Sequence, residues 1–132
     1  MRRYSFLLIF AFLGCAPPHR DTPVAEIPKL TKLDDVMDTQ ATVADPQFKK
    51  IGMASYTDAD WMAFSDCADR IQATSIKLKE FSKGAGFDAL ALQLHDKAAA
   101  LASAAQAKNA AGASQALADM KATCKTCHKQ FR

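Results

Sequence analysis

Little in this sequence can build a β-sheet. β-branched runs are few and no segment alternates apolar with polar residues, which excludes sandwiches, barrels and doubly wound sheets. Long apolar runs are also missing. The longest, Phe6 to Leu13, is too short to cross a bilayer as a helix. Neither sign of charge dominates: 17 basic and 14 acidic residues give +3, and without Arg2 and Arg3 the balance is 15 to 14. No polyanionic partner follows from such a balance, and nucleic acid is not expected. Histidine and cysteine are scarce, at three and four residues, so any site built from them must be compact.

What is there is concentrated in Cys124-Lys125-Thr126-Cys127-His128. The pattern C-x-x-C-H is the attachment signature of a c-type haem. Two thiols add to the two haem vinyl groups, and the adjacent imidazole is offered to the iron as proximal ligand. On a helix, positions 124, 127 and 128 are i, i+3 and i+4, so the three side chains share a face. A redox C-x-x-C and half a zinc site are the competing readings. The first wants a preceding strand, which the pattern does not supply. The second wants further ligands. His19 lies in a Pro-rich stretch, His95 lies alone in an Ala-rich one, and there is no second Cys pair.

The first fourteen residues read as an export signal: Arg2 and Arg3, then the apolar run, then Gly14. Phe12-Leu13-Gly14-Cys15 resembles a lipoprotein signal, in which cleavage precedes the Cys and its thiol is lipidated. Ordinary cleavage nearby would instead leave Cys15 as a stray thiol, a liability outside the cytoplasm. Residues 15–28, with Pro17, Pro18, Pro23 and Pro28, read as an extended tether. Residues 29–132 read as one domain. Cys67 remains, and reads as a small buried hydrophobe.

From Lys29 onward the spacing is helical. Helix A carries Leu30, Leu33, Val36, Met37 and Ala41, is interrupted at Asp45-Pro46 and continues to about Met53. Helix B, from Asp58 to about Ser82, follows Trp61, Phe64, Ala68, Ile71, Ile76 and Phe81. Helix C runs from Phe87 to about Lys108, and helix D from Ala113 to about Gln130. Thr57 with Asp58 and Asp60 is an N-cap with acids in the first turn. Four helices joined by short connections predict an all-α, antiparallel four-helix bundle of up-down-up-down order. That topology brings the end of D beside the start of A, the end of B and the start of C. A pocket there would be lined by Leu30, Leu33, Met37, Ile76, Phe81, Phe87, Leu90, Leu94, Met120 and Phe131. Met53 lies 16 residues beyond Met37, about 24 Å along a helix, and Met62 shares that far end. Met120 is about 12 Å up the same helix as His128. Met37 faces the motif from another helix. His95 reads as a surface or capping residue. Residues 30–70 hold four basic and eight acidic residues, and 71–132 hold nine and four, an asymmetry that either orients a partner or marks solvated faces.

An export signal, four amphipathic helices and C-x-x-C-H late in the fourth resemble the cytochrome c′ / cytochrome c556 family, class II c-type cytochromes. The resembling pieces are Val36-Met37-Asp38, Trp61 after Thr57-Asp58-Ala59-Asp60, and Cys124-Lys125-Thr126-Cys127-His128-Lys129, within residues 29–132. The resemblance implies one covalent haem c held by Cys124 and Cys127, with His128 on the iron. In that family the stretch matching Met37 supplies either a Met, giving a six-coordinate low-spin iron, or an apolar residue, giving a five-coordinate one. The expected function is periplasmic electron transfer without catalysis. The alternatives are a high-spin haem protein that binds NO or CO, and a zinc- or thiol-based structural module. Expected partners are redox proteins of unstated identity, the membrane through Cys15, and a second copy of the chain.

Overall fold

A computed structural model describes residues 21–132, so the segment read as an export signal, Cys15 and the first part of the Pro-rich stretch lie outside the described residues. Among the described residues there are no strands. Four long helices follow in order: α1 (Leu33–Phe48), α2 (Asp58–Lys77), α3 (Ala85–Gln106) and α4 (Ala110–Phe131). Short 3-10 segments precede α1 (Val24–Lys29) and extend α2 (Leu78–Phe81). The fold is the expected antiparallel four-helix bundle.

Local chemistry sets the helix ends. Thr57 Oγ1 accepts from the Asp60 N–H, and Asp60 Oδ2 accepts from the Thr57 N–H, a complete capping box that starts α2. Asn109 Oδ1 accepts from the Gly112 N–H at 3.0 Å and starts α4. Gly84 precedes α3 with φ +106°, a conformation open to glycine and strained for other residues.

Two expectations are corrected at the N-terminal side. The helix break at Asp45-Pro46 does not occur: α1 runs unbroken to Phe48 with Pro46 inside its last turn. A proline this late removes one i→i−4 hydrogen bond only two residues before the helix ends at Phe48, where few remain to be lost. Nor are the described residues of the expected tether extended and free of the core: Val24–Lys29 forms a 3-10 helix. Ile27 is fully buried and Thr22 is 6% exposed. Ile27 packs with Leu30, Val36, Leu78, Phe87 and Ala91, and burying such a side chain contributes about 1.5–3 kcal/mol. Lys77 Nζ donates to the Pro28 carbonyl at 2.7 Å and pairs with Glu80 at 2.6 Å, fixing the segment to the end of α2.

The core has two parts. The larger runs through Val43, Trp61, Phe64, Ile71, Leu101 and Leu117, with Ala98, Ala105, Ala113 and Ala116 allowing close helix approach. At its far end Tyr56, Trp61 and Phe64 meet edge to face, with centroids 4.9–5.7 Å apart. The smaller part, around Ile27, Val36, Leu78 and Phe87, fills the opposite end. The pairs α1–α2, α2–α3 and α3–α4 pack extensively, whereas α1 and α4 touch only slightly. That parting of α1 from α4 positions the site.

Candidate functional site

A cleft of about 560 Å³ opens between the start of α1 and the end of α4. Its walls are Leu33, Met37, Phe87 and Phe131, its rim carries Asp34, Asp38, Lys83 and Arg132, and Cys127 and His128 line it from α4. A narrow cavity of about 20 Å³ continues inward between Met37, Gln40, Leu94, Cys124, Cys127 and His128. The topology deduced from sequence therefore holds, because the end of α4 meets the start of α1 and of α3.

Most expected lining residues are found there. Leu33, Met37, Phe87 and Phe131 line the cleft and Leu90 and Leu94 line the inner cavity. Four do not: Leu30 and Phe81 belong to the adjoining small core, and Ile76 and Met120 lie elsewhere. Ile76 is 57% exposed. The inward positions of α2 pass through Ser75 and Leu78 instead, each buried, which leaves Ile76 one residue out of phase. Met120 is fully buried in the larger core, apart from the cleft. Met53 and Met62 are exposed and line neither cavity. His95 sits part-buried on α3, its Nδ1 3.2 Å from Asp96 Oδ1, as expected of a surface residue.

Cys124, Cys127 and His128 lie in the last two turns of α4, all within unbroken helix. Cys124 packs against the larger core and Cys127 against the smaller, so the pair straddles the junction. Burial pushes the Cys124 thiol up to about 11, helped by the nearby Cys127 and Asp45. Burial also raises the Cys127 thiol, against the pull of Lys83. Both are therefore protonated at neutral pH. The Cys67 thiol, 1% exposed, is pushed up to about 12, first by burial and then by Asp66. It is the inert core residue the pattern suggested. Among the described residues no three His, Cys, Asp or Glu side chains cluster as a metal site would require, so the zinc reading finds no ligand set there.

The cleft fits a flat amphiphilic cofactor. Its volume lies within the about 300–1,000 Å³ of small-molecule sites. Apolar walls suit a macrocycle, and Lys83 and Arg132 at the rim suit carboxylates. Two thiols and an imidazole share one helix face beside it, Cys127 and His128 lining the cleft and Cys124 the inner cavity. The sequence reasoning did not place Gln40, Asp34, Asp38, Ala41, Lys83 or Arg132 at the site. Gln40 carried a signal: it is a polar residue three positions after Met37 on the inward face of α1.

A family model described as Cytochrome C′ matches residues 29–132. A curated cytochrome c′ from Pararhodospirillum photometricum is 41% identical over 70 residues, which cover 53% of this chain and 56% of that protein. The matched region thus spans little more than half the length of that relative. No solved structure matches.

Proposed function

The chain belongs to the cytochrome c′ family, whose cofactor is covalently attached haem c, and from that premise we propose that it is an electron carrier with His/Met ligation. Cys124 and Cys127 would hold the haem by thioethers, His128 would be the proximal ligand, and Met37 the distal one. The observation that carries the reading is that Met37, on α1, lines the same two cavities as His128, on α4. Thioether and imidazole together raise the reduction potential of a haem. The bound haem supplies one-electron redox chemistry. The chain supplies attachment, the two ligands, and apolar walls that exclude water. It changes no bond in a substrate.

The second reading is a high-spin haem protein that binds NO or CO. It is favoured by the relative, which is a cytochrome c′ by name. The far-red sulfur–iron absorption band of the oxidised protein separates the two. Its presence supports Met37 ligation, and its absence with rapid CO binding supports gas binding.

Proteins of this family are typically periplasmic, and among the described residues no helix is long and apolar enough to cross a membrane. We propose that lipidated Cys15 tethers the domain to the membrane. Fractionation tests it: Cys15→Ser should release protein that the parent retains, and a parent already in the soluble fraction overturns the tether.

A further inference from the structure

Gln40 is the cavity-lining group that electron transfer by itself leaves unexplained. It follows Met37 at i+3 on α1, so the two side chains share a face. It is 8% exposed, and with Met37, Cys124 and His128 it lines the inner cavity of about 20 Å³. That space holds about one water-sized group.

The anchor of Gln40 fixes which way its amide points. The Thr74 hydroxyl directs its single proton to the carbonyls of Arg70 at 2.8 Å and Ile71 at 3.1 Å, within its own helix. Toward Gln40 it can only accept, so the 3.1 Å contact is an Nε2–H donation to Thr74 Oγ1. One Nε2–H and Oε1 remain, and neither has a partner among the described residues. Thr123, whose hydroxyl also lines the cavity, donates to the Asp119 carbonyl at 3.0 Å, so toward Gln40 it could only accept, and no hydrogen bond joins the two. Leu78, Leu90 and Leu94 offer no polar atoms. A buried amide with an unused donor and acceptor costs stability unless something takes them up.

We propose that Gln40 is the hydrogen-bonding partner of whatever group holds the iron opposite His128. Its free Nε2–H donates to the Met37 sulfur when that is the ligand, and to a diatomic ligand when it is not. Gln40 is then a positioning and specificity-determining residue, with Thr74 holding the amide in place. The inference rests on haem attachment at Cys124, Cys127 and His128.

The test uses haem-loaded protein and CO as the probe, read by infrared spectroscopy. In Met37→Ala the iron is open and Gln40 is intact. An N–H dipole aimed at the bound ligand lowers the C–O stretch. The double variant Met37→Ala/Gln40→Leu should shift that band to higher wavenumber. Met37→Ala/Thr74→Val keeps the amide but frees it, and its band should broaden. A band identical in Met37→Ala and in the Gln40→Leu double variant overturns the proposal. If the parent already binds CO, the Met37 ligation reading fails, and the same comparison of the parent with Gln40→Leu still decides the role of Gln40. Haem staining after denaturation is run on every variant, and its loss in the parent overturns both readings. Should Gln40→Leu fail to fold, Gln40→Met, of similar length, takes its place.

Discussion

Phe87 at the start of α3 and Phe131 at the end of α4 meet edge to face, their centroids 5.5 Å apart and their planes at 87°. The pair closes one wall of the cleft beside Cys127 and His128. The backbone comes close here too, because a Cβ at Gly86 would lie 3.4 Å from the Phe131 ring. An aromatic pair of this geometry adds about 0.5–1.5 kcal/mol beyond its buried area. Phe131→Ala should destabilise the protein by less than the about 3–5 kcal/mol of a fully buried Phe, because Phe131 is only half-buried. Chemical denaturation of the haem-loaded protein checks this. A loss near zero would mean that the pair does not close the wall.

Attachment is tested at the two thiols. Cys124→Ala and Cys127→Ala should each leave one thioether and a haem that still stains after denaturation, whereas the double variant should not stain. Cys67→Ser, in the larger core, should leave staining unchanged. It should also lower stability, because a buried hydroxyl replaces a thiol that acts as a small hydrophobe. Mass spectrometry of each variant counts the bonds.

How much of this was legible beforehand differs by element. The site motif was legible because its chemistry is local: five consecutive residues fix two thiols and an imidazole on one helix face. The bundle was legible because its stripes repeat at helical spacing. Ile76 misled because its apolarity outweighed phase, while the inward position fell to the polar Ser75. Ile27 misled because only partners distant in sequence, Val36, Leu78, Phe87 and Ala91, make a Pro-rich segment worth burying. Gln40 was passed over for a related reason. Its meaning depends on the anchoring Thr74, 34 residues away.

The start of α2 carries a pH dependence. Lys50 lies 2.7 Å from Asp60, and the Thr57 backbone and hydroxyl also hydrogen-bond that carboxylate. These contacts, the Lys50 hydrogen bond first, hold Asp60 down to about 2, against about 3.9 in an unfolded chain. As pH falls the unfolded chain takes the proton first. The stability that Asp60 supplies is therefore full above about pH 4 and is lost as pH falls towards 2. Urea midpoints between pH 2 and 6 should show this slope, and Asp60→Asn should flatten it. Thr57→Ala should cost about 0.5–2 kcal/mol at neutral pH. An unchanged acid limb in Asp60→Asn would place the sensitivity elsewhere.

Met37 decides the function, and its substitution separates ligand from core. If its sulfur holds the iron, Met37→Ala removes the thioether that lines both cavities with His128. The iron then becomes five-coordinate or takes water. The spectrum should move to high spin, the far-red sulfur–iron band should vanish, and the potential should fall, because His/Met ligation is what raised it. CO should bind readily where the parent resists it. The fold should survive: the thioethers remain, α1 keeps Val36, Val43 and Ala44 in its buried face, and Met37 is only half-buried. Its loss should therefore cost no more than the lower part of the about 2–5 kcal/mol typical of Met→Ala in a core, plus what ligation contributed. A merely structural Met37 gives the opposite set of results. The potential and spectrum would then stay put while the denaturation midpoint falls, and the parent itself would bind CO, making gas binding the better account of this cleft.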